Sequence, residues 1–265
     1  MRIGLSEFGI KRGIESFYSM SKKQLIVMTR YPVNFITSFL MIFIIILMFT
    51  IATLMFVGGG SEGGFSKGNY GGIMMYGFVL FMFLSDTLWT IGYNIRWEQY
   101  QGTLESLYLT PSSKFASLVS RVTVSVVWTG LNVIAAIIFV TYFLGKLPYE
   151  NFGFGILILV LSLSGTFGMG FAFAAFTLIV KESANLAANM LQFVFLVLCA
   201  MFFPFSALPD FVVKYVSRLI PLSYCVDLFR SNFMGYPPGF PELLPKEQEF
   251  LIVLTFGILS PILGF

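Results

Sequence analysis

The sequence predicts an all-α polytopic membrane protein with six transmembrane helices. Composition predicts it first: 57% of the 265 residues are apolar and only 11% are charged, less than half of the roughly 25% charge of a soluble domain. Six long apolar runs follow, at 33–57, 73–95, 122–144, 152–180, 186–204 and 250–265, against the roughly 20 residues that one helical crossing needs. Third, the chain has 13 acidic and 16 basic residues, and all but Asp86 fall outside those runs. Insertion of a mid-bilayer acid costs about 2.5 kcal/mol or more, so this partition is what a polytopic helical protein must show. The single domain 1–265 therefore lives in lipid. A net charge of +3 argues for no nucleic-acid surface, and the absence of His excludes imidazole base chemistry and His metal ligands.

Residues 1–32 carry six basic side chains, Arg2, Lys11, Arg12, Lys22, Lys23 and Arg30. Phe8, Ile14, Phe17, Tyr18, Leu25, Ile26 and Met28 are interleaved with them, the pattern of a helix lying on an anionic cytoplasmic leaflet; a plain soluble tail is the alternative. The segment does not read as a secretory signal, because about 30 mixed residues precede the first apolar run. Its basic charge, against only Lys67 in the 58–72 connection, places the N-terminus in the cytoplasm and the protein in the cell membrane as a multi-pass protein. The 96–121 connection, with Arg96, Lys114 and Arg121, falls on the same side, as does the 181–185 turn. The basic residues of 205–249 run against the rule, but long connections obey it poorly.

Within the runs, Asp86 is the one ionisable group, and such groups are functional candidates by default. A hydrogen bond to a neighbouring helix, as an ionised or a neutral acid, is the bland alternative. Ser125, Thr129 and Asn132 on the third run and Asn185, Asn189 and Gln192 on the fifth each repeat at i, i+4 and i+7, so each set shares one helix face. They are candidates for a translocation path, with interhelical hydrogen bonding as the plainer explanation. Ser164, Gly168 and Ala172 form a seam of small residues suited to close packing, with Ser162, Thr166 and Gly170 beside it. Cys199 and Cys225 imply no disulfide. The last run, 16 residues long, is about 24 Å as a helix, short of a hydrocarbon core of about 30 Å. Either the chain stops before that span's natural end or the span is short.

Two connections exceed simple turns. In 96–121, Thr103 is placed to cap a short amphipathic helix that Pro111 ends, its apolar ridge formed by Leu104, Leu107, Tyr108 and Leu109. It is either a surface-lying loop helix or a knob that docks into another protein. In 205–249, apolar stretches at 211–216 and 224–229 are too short to cross and are separated by prolines. They suit two short outer helices that dip into the membrane and return, roofing a cavity, or an ordinary outer loop.

The stretch Glu98-Gln99-Tyr100-Gln101-Gly102-Thr103-Leu104-Glu105, followed by Leu107, Thr110, Pro111 and Ser112, resembles the cytoplasmic signature of type-two ABC-transporter permeases, the six-span membrane subunits of ATP-binding-cassette exporters. Phe203-Pro204, Leu208-Pro209, Pro221, Asp227 and Arg230 are similar to the tail motif of the same family. The resemblance implies that Glu98, Gly102, Thr103, Leu104, Glu105, Leu107, Thr110 and Pro111 form a coupling helix seated in a groove of an ATPase subunit. It also implies an outer gate built around Pro204, Leu208, Pro209, Pro221, Asp227 and Arg230, and pairing of the permease with a second copy or a homologue. The chain carries no G-x-x-x-x-G-K-[ST] loop to hold ATP phosphates. ATP and Mg would thus be bound by a dimer of a partner ATPase, and no cofactor by this chain. The competing expectation, from a different functional class, is a non-transporting membrane scaffold that recruits a cytoplasmic protein through 96–113. An embedded enzyme is disfavoured, because the runs show no paired carboxylates, metal cluster or activated nucleophile.

Overall fold

The computed structural model describes residues 67–93, 114–144, 148–180 and 183–264 continuously, together with scattered positions between 14 and 51 and at 99–102 and 109. Among the described residues every regular element is helical. Three helices are long and apolar enough to cross a membrane, over Gly71–Ile91, Val122–Tyr142 and Phe152–Thr177.

Helix α1, Lys67–Thr87, runs directly into a π-helical turn, Leu88–Tyr93. Helices α2, Lys114–Leu144, and α3, Phe152–Val180, are each more than 40 Å long at 1.5 Å per residue, roughly, and contain no proline. The shorter α4, Ala184–Leu198, ends where Ala200 takes a left-handed φ of 47° and turns the chain out of the helix. Single 3-10 turns at Phe205–Ala207 and Ser217–Leu219 flank α5, Asp210–Tyr215. Helix α6, Pro221–Phe233, starts on a proline whose missing N–H is one of the helix's free donors anyway. Helix α7, Lys246–Gly264, completes the described chain. The described residues between Ile14 and Ile51 are also helical, with Ile14, Tyr18, Leu25 and Ile26 exposed; Phe8 and Met28 lie outside the described residues.

Burial ranks the long helices. The α1 window is 72% buried and the α2 window 28%, so α1 is central and α2 turns a broad apolar face outward. Residues Ile73, Leu80, Leu84 and Leu88 of α1 and its π turn join α3, α4 and α6 in one core. Small residues set the distances. A Cβ on Gly77 would lie 1.7 Å from the Met201 carbonyl oxygen, and one on Gly168 would lie 2.2 Å from the Ser260 backbone. Only glycine permits those approaches. Across the same α3–α7 seam, Ser164 donates to the Gly257 carbonyl at 2.7 Å and Ser260 to the Gly165 carbonyl at 2.8 Å. The small-residue stripe of α3 is therefore a packing surface for α7, with hydroxyls bonded to the opposite backbone.

The two short helices differ from one another in a way the apolar stretches did not foretell. In α5, Phe211 and Tyr215 are exposed and no residue is buried. In α6, every residue from Leu222 to Phe233 is buried, polar ones included. Helix α6 extends beyond its apolar stretch at both ends, and past its C-terminal end the fold supplies partners for Arg230 and Ser231. At 13 residues it spans about 20 Å, well short of a crossing.

Candidate functional site

Two clusters of polar groups stand out, one where α1, α2 and α4 meet and the other around α6.

Asp86 occupies the last turn of α1. Its Oδ2 accepts hydrogen bonds from Thr129 Oγ1 at 2.7 Å and from Ser125 Oγ, and its Oδ1 accepts from Thr90 Oγ1 at 3.3 Å. Thr90 and Ser125 also share a hydrogen bond at 3.0 Å. The α2 residues reach one carboxyl because their i, i+4 spacing puts them on the same face. Thr90 reaches it from the π turn. Of the hydroxyl residues next to Asp86 in the chain, Thr87 instead bonds the Phe83 carbonyl of its own helix at 2.7 Å. Asn132, further along the same face, donates to the Trp128 carbonyl at 3.0 Å, and its buried Oδ1 has no partner among the described residues.

The π turn also reaches α4, where Trp89 Nε1 donates to Gln192 Oε1 at 3.3 Å. Asn189 and Asn185 are bonded to each other at 3.1 Å along α4, and Asn185 is exposed. Of the seven residues put forward for a translocation path, the fold therefore brings Asp86, Ser125 and Thr129 into direct contact. It joins Gln192 to the same turn through Trp89. Thr90 and Trp89 were missed, although Thr90 sits at i+4 from Asp86 and so was findable.

The second cluster is sealed. Arg230, Asp227 and Glu249 are each 0% exposed. The Arg230 guanidinium donates to the carbonyls of Ala200 at 2.7 Å and Phe203 at 3.2 Å, in the segment that leaves α4, while the last carbonyl of α4, on Leu198, accepts from Ser217 Oγ at 2.7 Å. Asp227 Oδ2 accepts the backbone N–H groups of Glu242 at 2.7 Å and Leu243 at 2.9 Å. Glu242 in turn accepts from the N–H groups of Phe205 at 3.1 Å and Ser206 at 2.7 Å. Glu249, in the first turn of α7 ahead of its apolar run, accepts the Leu244 N–H at 3.1 Å. One knot thus ties the end of α4, the 3-10 turn after it, α6, the 240–244 loop and the start of α7.

Burial pushes the Glu249 carboxyl up to about 10, and the Asp227 carboxylate beside it pushes the same way, so Glu249 is a neutral acid at pH 7. Burial also raises Glu242, against the pull of the Ser206 N–H. The retained proton removes the repulsion of two buried carboxylates.

Of the residues put forward for an outer gate, Asp227 and Arg230 belong to this knot. Pro204 and Pro209 shape the turns before the Phe205–Ala207 turn and α5, in extended conformation at φ −70° and −58°. Leu208 is half-buried and joins the core, and Pro221 opens α6. Glu242 and Glu249 were missed, since a carboxylate that accepts backbone N–H groups from a distant turn has no sequence signature. Beside the knot is an open cavity of about 400 Å³ walled by Phe205, Asp210, Lys214, Arg218 and Glu242.

Of the coupling segment, Gly102 has a left-handed φ of 68° and its N–H bonds the Gln99 carbonyl at 3.1 Å, while Tyr100 and Leu109 are exposed. Glu98, Thr103, Leu104, Glu105, Leu107, Thr110 and Pro111 lie outside the described residues.

A search of curated proteins finds no match to the chain. A family model described as ABC-2 type transporter matches residues 15–234, most of the chain and both polar clusters apart from Glu242 and Glu249. With its long apolar helices and that match, the protein is a multi-pass membrane protein and belongs to the ABC-2 type transporter family.

Proposed function

We propose that the chain is the permease subunit of an exporter, driven by ATP hydrolysis in a separate cytoplasmic ATPase and paired with a second permease around a shared path. The observation that carries this reading is the family match over residues 15–234. The proposed topology has six spans with a cytoplasmic N-terminus in the cell membrane. ATP and Mg belong to the ATPase dimer.

The structure supports a mechanical route for that reading. The chain leaves α1 through the π turn and passes on into the 96–121 connection, which carries the proposed coupling helix. The π turn holds Thr90 against Asp86 and Trp89 against Gln192. A displacement of the coupling helix by the ATPase therefore acts on the side chains that join α1 to α2 and α4. Such π turns interrupt the regular hydrogen-bond ladder and are frequent at functional sites. At the opposite end, the Arg230–Asp227–Glu242 knot makes the proposed gate a rigid assembly, so the gate opens by moving with the ends of α4 and α7. In this orientation Asp86, Ser125, Thr129 and Gln192 lie in the cytoplasmic half of their helices, where cargo enters an exporter.

Co-purification with the ATPase and measurement of its hydrolysis in proteoliposomes test the proposal. Glu105→Ala together with Leu107→Ala is expected to lower permease-dependent hydrolysis at least tenfold while leaving the permease folded. A chain that associates with no ATPase, or a double variant with unchanged hydrolysis, refutes it.

A further inference from the structure

We propose that Asp86 and the hydroxyls around it form a binding site for a singly charged cation, an ammonium group or an alkali-metal ion, in the half of the membrane next to the coupling segment. The location rests on the topology proposed above; the chemistry of the site does not.

Five oxygen atoms converge there from two helices: both carboxyl oxygens of Asp86 and the hydroxyl oxygens of Thr90, Ser125 and Thr129. A hydroxyl that donates its proton keeps lone pairs for a cation, so each can turn toward an ion that enters. An all-oxygen set is what hard cations and alkylammonium groups take, with no soft ligand among the donors. The charge count selects the valence. Asp86 is the one charged residue in the six apolar runs, whereas divalent sites made of protein oxygens gather several carboxylates.

An acid at this depth is tolerated when something neutralises it. Among the described residues the hydrogen-bond partners of Asp86 are hydroxyls, and none of these supplies positive charge. A buried structural acid would be sealed like Asp227 and Glu249, both 0% exposed. Asp86, Thr90 and Ser125 are instead half-buried, less enclosed than that pair. Trp89, three residues after Asp86 in the same π turn as Thr90, adds an aromatic ring of the kind that favours ammonium ions. On the same α2 face, the Oδ1 of buried Asn132, without a partner among the described residues, is a further oxygen acceptor.

Trp89 provides the readout. The purified permease, with Trp97→Phe and Trp128→Phe so that Trp89 alone emits, is titrated with ethylammonium, sodium and potassium chlorides at constant ionic strength set with tetrapropylammonium chloride, a bulky cation with no N–H to donate. A saturable change in emission is expected, lost in Asp86→Asn and weakened at least fivefold in Ser125→Ala with Thr129→Val, which keeps the acid should the Asn variant fail to fold. Saturation by ethylammonium alone assigns the site to an amine-bearing cargo, and saturation by sodium or potassium assigns it to an alkali ion. No saturable response to any of the three salts, or a response unchanged in both variants, overturns the inference. The measurement needs no ATPase, so its failure leaves the Glu105 and Leu107 test standing, and the failure of that test leaves this one intact.

Discussion

Glu249→Gln isolates the contribution of one buried proton. In the folded protein the carboxyl titrates at about 10, while in the unfolded chain it titrates near 4.3, roughly the value of a free glutamate. Its folded pKa is raised, so its share of stability is complete below about pH 4 and is lost as the pH climbs toward the folded value. Between those limits the unfolded state has released a proton that the folded state keeps, and stability falls by about 1.4 kcal/mol per pH unit. From pH 6 to pH 8 the wild type therefore loses up to about 2.7 kcal/mol through this residue alone. Glutamine keeps an oxygen for the Leu244 N–H and cannot ionise, so its loss over the same interval is smaller by that amount. The native cysteines report the unfolding, because Cys199 and Cys225 are both buried and free. A thiol-reactive fluorophore followed during heating gives a midpoint for each protein at each pH, and comparison at equal pH cancels the reagent's own pH dependence. The variant is expected to gain on the wild type by several degrees between pH 6 and pH 8, whatever the offset between the two at pH 6. Parallel pH profiles for the two proteins would show that Glu249 is ionised in the folded state, and the argument from burial would fail.

Three further outcomes follow from the geometry. Arg230→Met strips the Ala200 and Phe203 carbonyls of their donor and leaves Asp227 without a nearby cation; a loss of about 3–5 kcal/mol is expected, read as a lower fluorophore midpoint, and Arg230→Lys should recover little because one ammonium replaces a planar fork. Gly77→Ala drives a methyl group into the Met201 backbone, 1.7 Å away, and should abolish monodisperse folding on size exclusion, whereas Gly153→Ala meets nothing within 4 Å and should behave as wild type. A double-mutant cycle on Trp89→Phe and Gln192→Leu should give a coupling of about 0.6 kcal/mol in thermal stability, the average for interhelical hydrogen bonds in membranes; additive effects would mean that the π turn does not hold α4.

Much of the architecture was legible in the chain because lipid imposes a one-dimensional rule. A helix satisfies its own backbone, so a run of apolar residues and a gap in the charges mark a membrane helix without reference to any partner. The seam of Ser164, Gly168 and Ala172 was legible for a related reason, since small residues in a membrane helix have little to offer except close approach. The i, i+4 pair Ser125 and Thr129 was legible as a face. What that face met was not. Periodicity fixes the side of a helix on which a hydroxyl lies, but the choice of Asp86 as its partner depends on how α1 and α2 cross.

The sequence by itself determined the membrane class, the family-bearing segments and the single intramembrane acid, because each is a property of local composition. Only the tertiary structure decided the rest. It divided 205–249 into an exposed α5 and a buried α6, recruited Glu242 and Glu249 to a knot around Arg230 and Asp227, and placed Thr90 and Trp89 between Asp86 and Gln192. The physical reason is the same in each case. A buried polar group is stable only with its partners in place, and those partners lie 15 to 43 residues away along the chain for Asp227 with Glu242 and Leu243, Arg230 with Ala200, and Asp86 with Ser125 and Thr129, a distance over which no local pattern carries information.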